Sequence, residues 1–462
     1  MLVSFRQRIR LNLCFVESLR STNRAIYRGR KAAAKPQAVA RLLVAKVNMV
    51  SKNAPVTFKR VLMNRRFFAL WLAQLVSAFG DWLALLALFS FVAYRLHSAP
   101  SQVSWMLISF TLPAAFLGPI AGVFVDRWDI KRTMIVSDLA RAVLAALLAF
   151  STDLSQIYFL VFALSSVSCF FQPAQNVALP LLVSREELLV ANALNAQTVQ
   201  FVRVISPAVA GALVAWVGEK VCFYIDSLSF IFSATMLMTI IIRREMAESN
   251  KGVRSVSAEL LQGLRFIFGH RAILFLIISM TAAVFAAGAF EASIVVFVRD
   301  VLSAGSRLYG SIISLVAAGT ILGALLIGRF GQKQSKLYLV ALGILGLGVN
   351  VLILAALSSA PATIACSLGL GLSVACVLIP SQTLLQVESP SDILGRVSST
   401  SMSLMTAAQL ASFLIGGAVA SWIGIRNLYY LVALALILIA IVGYWYKRAH
   451  SVAETKASSP EL

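Results

Sequence analysis

Six charged side chains interrupt long apolar stretches of this sequence, and their types could do chemistry there: Asp81, Asp138, Arg141, Arg203, Asp226 and Glu291. A charge inside hydrocarbon is costly unless it is paired or hydrated, so each such residue is a candidate for binding an ion or a substrate. The six are scattered along the chain rather than gathered at one depth, which argues against an embedded enzyme. We therefore expect no catalytic activity.

Asp81 is the strongest of these candidates. It lies 14 residues into its apolar stretch, about 21 Å at the helical rise, somewhat beyond the midplane of a bilayer. One carboxylate exposed to one side at a time could bind a proton and a cationic substrate alternately. The alternative is that Asp81, which follows Gly80, hydrogen-bonds a neighbouring helix and never titrates.

The other embedded charges support several interpretations. Asp226 and Glu291 lie near the outer ends of their stretches, where interfacial solvation explains them and a transport role is the alternative. Asp138 and Arg141 are three residues apart and can neutralise each other as a structural pair. Arg203 lies about 10 Å inside its stretch and needs a partner such as Asp138 or an anionic substrate.

A compact motif follows the second apolar stretch, with glycine at Gly122, acid at Asp126 and cations at Arg127, Lys131 and Arg132. Gly122 lets two helices approach closely. Asp126 can accept hydrogen bonds from the free N–H groups at the start of a helix in the opposite half, such as the eleventh. This pattern predicts a gating latch, whereas a plain topogenic signal would need only the cations.

The composition requires a membrane around these residues. Of 462 residues, 59% are hydrophobic and 13% charged, which excludes an ordinary soluble globular protein. Twelve stretches approximate the 20 or so apolar residues that a helical span needs. They are 67–91, 102–125, 133–151, 156–182, 196–217, 221–242, 273–297, 309–330, 337–357, 361–386, 397–423 and 428–446.

The loop charges and an internal repeat organise these spans. With the amino terminus inside, 17 loop and tail cations fall on the cytoplasmic side and five on the other, so both termini are predicted to be cytoplasmic. Residues 208–218 and 414–424 match at an offset of 206, and residues 127–131 and 329–333 at 202, which puts Gly328 in the place of Asp126. Two six-helix halves are thus predicted, a transporter architecture.

The predicted organisation has five parts: a basic arm over 1–62, a first half over 63–242, a cytoplasmic linker over 243–271, a second half over 272–446 and a tail over 447–462. The arm has three competing interpretations: an upstream start with true initiation near Met49 or Met63, an amphipathic segment on anionic lipid, or a transit peptide.

Histidines and cysteines are few and far apart, and no ATP-binding glycine loop is present. We therefore expect no metal and no cofactor. The net charge of +21 comes mostly from the arm and the loops, so we expect no nucleic-acid partner.

Several stretches resemble one family. The motif from Gly122 to Arg132 is similar to the loop between helices two and three of the major facilitator superfamily. The stretches FFALWLAQLVSAFGD, QPAQNVALPLLVSREEL, VISPAVAGAL, AELLQGLRFIF and LGRVSS resemble its macrolide-efflux and enterobactin-exporter-like branch. The resemblance covers nearly everything from Phe67 to Lys447. It implies an all-α fold of twelve transmembrane helices in two pseudo-symmetric halves, with alternating access and export usually driven by protons.

One departure concerns the fifth helix. The antiporter signature of the family has a Gly-Pro pair followed by paired glycines, and this chain has Ser206-Pro207 and Ala210-Gly211. All are small residues, so close packing and a proline-weakened backbone survive. Proton antiport is therefore less firmly implied than the fold.

Together with the embedded charges, this resemblance implies an inner-membrane exporter, acting as a monomer in the lipid bilayer, that carries a small drug-like or macrolide-like amphipathic molecule outward by proton antiport. One alternative is an exporter of siderophores or lipid-like metabolites, for which Arg203 rather than Asp81 would contact an anionic ligand. The other is a transporter-shaped receptor or scaffold without flux.

Overall fold

A computed structural model describes residues 58–125, 127–242, 265–331, 334–357, 359–389 and 394–457. The described chain is helical, and twelve long helices follow a short helix, Phe58–Leu62. The first six are α1 Arg65–Ser90, α2 Pro100–Val125, α3 Ile130–Leu148, α4 Leu154–Leu182, α5 Leu188–Val217 and α6 Glu219–Met238. The second six are α7 Arg271–Asp300, α8 Ser306–Phe330, α9 Lys336–Leu357, α10 Ala360–Glu388, α11 Leu394–Ile423 and α12 Ile425–Ala457.

Eleven of these helices are long and apolar enough to cross a membrane. The exception is α3, which begins with Lys131 and Arg132 and carries Asp138 and Arg141 in its middle. Side-chain caps start several of the helices. Asp129 accepts the N–H of Arg132 at 2.7 Å before α3, and Asp153 accepts the N–H of Gln156 at 3.0 Å before α4.

The two halves are copies at one offset. Arg65 and Arg271, the first residues of α1 and α7, are 206 residues apart, and the other five pairs of helix starts are separated by the same 206. The packing repeats as well: α1 packs on α5 as α7 does on α11, α2 on α4 as α8 on α10, and α3 on α6 as α9 on α12. The twelve helices therefore form two pseudo-symmetric halves.

The backbone at the repeated segment has the same conformation in both halves. Gly218 ends α5 with φ +91°, and Gly424 ends α11 with φ +87°, a region that favours glycine. The offset of 202 predicted for the motif loop is wrong, because α2 and α8 keep the spacing of 206. At that spacing Gly328 is the counterpart of Gly122, and Gln332, in the sequence, is that of Asp126.

The halves meet at the ends of α1, α5 and α7. Here α5 of the first half packs on α8 of the second, and α2 of the first half packs on α11. We call this the sealed end. There the Tyr94 hydroxyl donates to the Ala304 carbonyl at 2.9 Å, and the Arg299 guanidinium donates to the carbonyls of Ala93 and Ser98. The backbone N–H of Ser101 on α2 donates to the Ser421 hydroxyl on α11 at 3.1 Å.

Candidate functional site

Helices α1 and α6 approach closely at Gly80, beside the candidate Asp81. A Cβ on Gly80 would lie 2.7 Å from Oδ1 of Asp226 and would collide with the Ser229 hydroxyl. Asp226 is only 1% exposed, so interfacial solvation is the wrong explanation for it. The reason is tertiary: α6 packs along α1, and a residue near the start of α6 is covered by the middle of α1.

Asp81 and Asp226 belong to one electrostatic cluster. Asp81 is partly exposed beside the buried Asp226, and their carboxylates are near enough to repel each other. Arg141 of α3 acts on both of them with the opposite sign. Sequence reasoning treated these residues as separate candidates, because only the packing of α1, α3 and α6 brings them together.

The pair Asp138 and Arg141 is buried on α3. The Arg141 guanidinium donates to an Asp138 carboxylate oxygen, and the Ser233 hydroxyl of α6 donates to the other oxygen at 2.6 Å. Arg141 also lies between two aromatic rings, with its guanidinium carbon 4.2 Å from the Phe171 centroid and 4.4 Å from that of Phe230. This is a fixed arrangement of a cation, an anion and two ring faces.

The charge of the cluster does not balance. Three carboxylates (Asp81, Asp138, Asp226) face one guanidinium, and hydroxyls supply the other polar contacts described. Arg141 neutralises one carboxylate, so two remain to be met by protons, a cationic ligand or water. Their counterparts 206 residues on are apolar: Ala287 for Asp81, Ile344 for Asp138, Leu347 for Arg141 and Val432 for Asp226. The cluster is thus a property of the first half alone.

A second group of charges bridges the two halves. Arg203 of α5 is exposed, with its guanidinium carbon 5.9 Å from the Trp82 ring centroid on α1. It is near enough to Glu291 of α7 for their charges to attract. Asp138, the partner considered for Arg203 from the sequence, is instead paired with Arg141. Trp82 follows Asp81 in the chain, so this bridge lies next to the cluster.

Several amide side chains lie on α4 and α5. Gln172, Asn176, Gln197 and Gln200 are exposed, whereas Gln175 is buried and accepts a hydrogen bond from Gln172 at 3.4 Å. Gln200 lies three residues before Arg203 on α5, so these two exposed polar side chains share one face of the helix, which suits a water-filled or ligand-filled space better than contact with lipid.

The motif after α2 is described in part. Gly122 lies in the last turns of α2, its surroundings lie outside the described residues, and so does Asp126. Arg127 and Arg132 are exposed, while Lys131 donates to the Met238 carbonyl at the end of α6 at 2.7 Å. A cation at a helix carboxyl terminus is favourable. Lys131 therefore ties α3 to α6 within one half.

The small residues of α5 lie between the halves. Ser206 and Pro207 are buried, and a Cβ on Gly211 would stand 2.9 Å from the Ser306 carbonyl and 3.3 Å from Gly310 on α8. Gly417, the counterpart of Gly211, meets Ser104 on α2 in the same way, and Ser104 is the counterpart of Gly310. The same pair of equivalent positions is therefore in contact twice between the halves.

Within the described ranges, no group of three or more His, Cys, Asp or Glu side chains could hold a metal ion. The cysteines described, Cys169, Cys222, Cys366 and Cys376, are free thiols.

Comparisons with known proteins agree with this geometry. The family model of the Major Facilitator Superfamily matches residues 70–412 and 294–461. The chain is 27% identical to the uncharacterized MFS-type transporter YfiS of Bacillus subtilis, over 80% of the chain and 90% of that protein. It is 26% identical to macrolide efflux protein A of Streptococcus pyogenes, over 82% of the chain and 95% of that protein.

Solved structures share the fold at low identity. A variant of the nucleoside transporter NupG has a TM-score of 0.67 at 13% identity, covering 82% of this chain and 99% of its own. A bacterial homolog of the human lysosomal transporter Spinster, inward-facing and unoccupied, has a TM-score of 0.64 at 12% identity, covering 86% and 99%.

Proposed function

This chain belongs to the Major Facilitator Superfamily, and we propose that it exports small amphipathic molecules, drug-like or macrolide-like, by proton antiport. It is a multi-pass membrane transporter rather than an enzyme. The observation that carries the proposal is the excess of carboxylates over cations around Asp81, next to the exposed Arg203 and Trp82. Kinship with macrolide efflux protein A supports the substrate class.

Asp81 is the proposed exchange site. It is the partly exposed member of the cluster, whereas Asp226 and Asp138 are buried behind it. A cationic substrate that reaches Asp81 supplies the charge that a proton supplied before, so the two ligands exclude each other. Asp226 strengthens this competition, because its negative charge disfavours the state in which Asp81 is ionised and binds neither a proton nor a substrate.

Alternating access is the proposed mode of movement. The sealed end is held by a few hydrogen bonds and by the glycine contacts Gly211–Gly310 and Gly417–Ser104. Contacts between small residues let two helices slide with little side-chain rearrangement. The proposed orientation puts both termini in the cytoplasm and the sealed end outside an inner membrane, with the protein acting as a monomer and Asp126 as a latch on the cytoplasmic side.

A second substrate class is favoured by Arg203. This guanidinium is exposed beside the Trp82 ring, and an anionic siderophore or lipid-like metabolite could replace Glu291 as the negative charge nearest to it. In that case Arg203→Gln would abolish export and Asp81→Asn would leave substrate binding intact.

The test is accumulation of ethidium and of a macrolide in an efflux-deficient bacterium that expresses the full chain, with and without a protonophore. We expect lower accumulation that the protonophore reverses. Asp81→Asn should abolish the effect. Asp153→Asn, which replaces one good helix cap by another, should preserve it. Unchanged accumulation with well-expressed protein would contradict drug export and point to the second class or to a receptor without flux.

A further inference from the structure

An apolar cavity lies in the second half, between α7, α11 and α12. Its volume is about 640 Å³, and its walls are almost wholly apolar. Ala282 and Ala286 line it from α7, Ile415 from α11, and Val432 and Ala435 from α12. We call this cavity the lateral slot.

The slot lies where the second half lacks an extensive helix contact that is present in the first half. In the first half α1 packs along α6 at Gly80 and Asp226, whereas α7 and α12 meet over a much shorter stretch. The counterparts of Gly80 and Asp226 are Ala286 and Val432, and both line the slot. The duplication therefore left a gap where the polar cluster lies in the other half.

The slot faces the hydrocarbon of the bilayer. Ile278, Ile415 and Leu431, all on its walls, are about half exposed, in helices that are apolar enough to span a membrane. From Leu274 to Ala286 it follows α7 over about 18 Å of helical rise, which is close to the depth of one leaflet. An acyl chain has the matching shape and chemistry.

One end of the slot is charged. Phe268 and Ile267 line it there, and Arg265 and His270, both exposed, flank these two residues in sequence. His270 precedes the first turn of α7, where free N–H groups add positive potential. An apolar groove with a cationic mouth fits an amphiphile with an anionic head.

We propose that the lateral slot binds one anionic phospholipid, with an acyl chain between α7 and α12 and the headgroup at Arg265 and His270. This site is distinct from the one around Asp81. Its occupant stabilises the loose contact between α7 and α12, as Asp226 and Gly80 do for α1 and α6.

The test uses vesicles of phosphatidylcholine and phosphatidylglycerol in which a fraction of the phosphatidylglycerol carries a photoactivatable acyl chain. After irradiation, labelled peptides of the full chain are mapped by mass spectrometry. We expect labels on the slot faces of α7 and α12 at several-fold the yield on the outer face of α3. Ala435→Phe, which fills the slot, should lower slot labelling several-fold. Val143→Phe, on the exposed face of α3, should not.

The headgroup is tested by competition. Unlabelled phosphatidylglycerol should displace the label better than phosphatidylcholine, and a variant with both Arg265→Ala and His270→Ala should lose that preference. The proposal would be overturned if the labelling yield at each residue simply followed its exposure, or if Ala435→Phe left the labelling yield in the slot unchanged. So would displacement by macrolide alone, which indicates a substrate site, or cross-links between two copies of the chain. Labelling does not depend on transport, so this proposal and drug export can fail separately.

Discussion

Gly80 of α1 lies against Asp226 of α6 so closely that a Cβ on Gly80 would stand 2.7 Å from the carboxylate oxygen Oδ1. This contact puts a buried acid beside Asp81 and ties two helices of one half together. Its counterpart, Ala286 and Val432, lines an apolar slot instead. One pair of positions therefore distinguishes the two halves in both charge and packing.

Gly80→Ala should separate α1 from α6. Overpacking of this kind costs about 1–3 kcal/mol, so the melting temperature of the purified protein should fall, and efflux should fall with it. Gly118→Ala is the matched control, because a Cβ there meets nothing within 4 Å. Equal melting temperatures for the two variants would show that the contact tolerates a methyl group.

The pair Asp138–Arg141 yields a prediction on stability. Arg141→Leu alone leaves Asp138 buried without its cation, which typically costs about 3–5 kcal/mol. The double variant Asp138→Ile, Arg141→Leu installs the residues found at the same positions of α9, Ile344 and Leu347. It should be more stable than the single variant in thermal unfolding. A double variant that is no better would mean that the two charges are not coupled.

Much of this fold could be predicted from the sequence, because hydropathy alone reveals eleven of the twelve long helices and the match between residues 208–218 and 414–424 reveals the duplication. The embedded charges were also found, since they interrupt apolar stretches. Their grouping was not, because Asp81, Asp138 and Asp226 lie on three helices and only the packing at Gly80 brings them together. Asp226 was misplaced for the same reason: depth counted along one helix ignores the neighbour that covers it.

Asp226→Asn should reduce the number of protons released when a cationic substrate binds. In the proposed exchange the substrate displaces a proton from Asp81, which the charge of Asp226 helps to retain, so its addition acidifies a weakly buffered solution of the purified protein. The variant should release measurably less than wild type, as read by a pH-sensitive dye. Asp153→Asn serves as the control and should release as much as wild type. Undiminished release from the Asp226 variant would remove Asp226 from the proton site.

Arg299 is predicted to hold the sealed end. Its guanidinium, fixed by Asp300, donates across the halves to the carbonyls of Ala93 and Ser98. Arg299→Ala removes these bonds and should shift the population toward molecules open at that end. The matched control is Arg426→Ala, because Arg426 donates to the Ala355 carbonyl at 3.0 Å within one half.

The measurement is the rate at which an impermeant maleimide, added from the side of the sealed end, modifies a cysteine placed at Gln200. We expect a several-fold faster rate in the Arg299 variant and no change in the Arg426 variant. A slow rate in both would mean that the glycine contacts alone keep this end closed.

Arg203 and Glu291 lie in opposite halves and are near enough for their charges to attract, so their coupling should depend on the conformational state. Because Arg203 is exposed, we expect this attraction to contribute roughly 0–1 kcal/mol, which is too little to lock the halves but enough to bias them. Arg203→Gln and Glu291→Gln should each alter the apparent affinity for a cationic substrate, and the effect of the double variant should differ from the sum of the two single effects. Because Arg203 repels a cation that Glu291 attracts, the two single changes should have opposite signs, tighter for Arg203→Gln and weaker for Glu291→Gln. Additive effects of the same sign would show that the two side chains act separately and that the substrate does not lie between them.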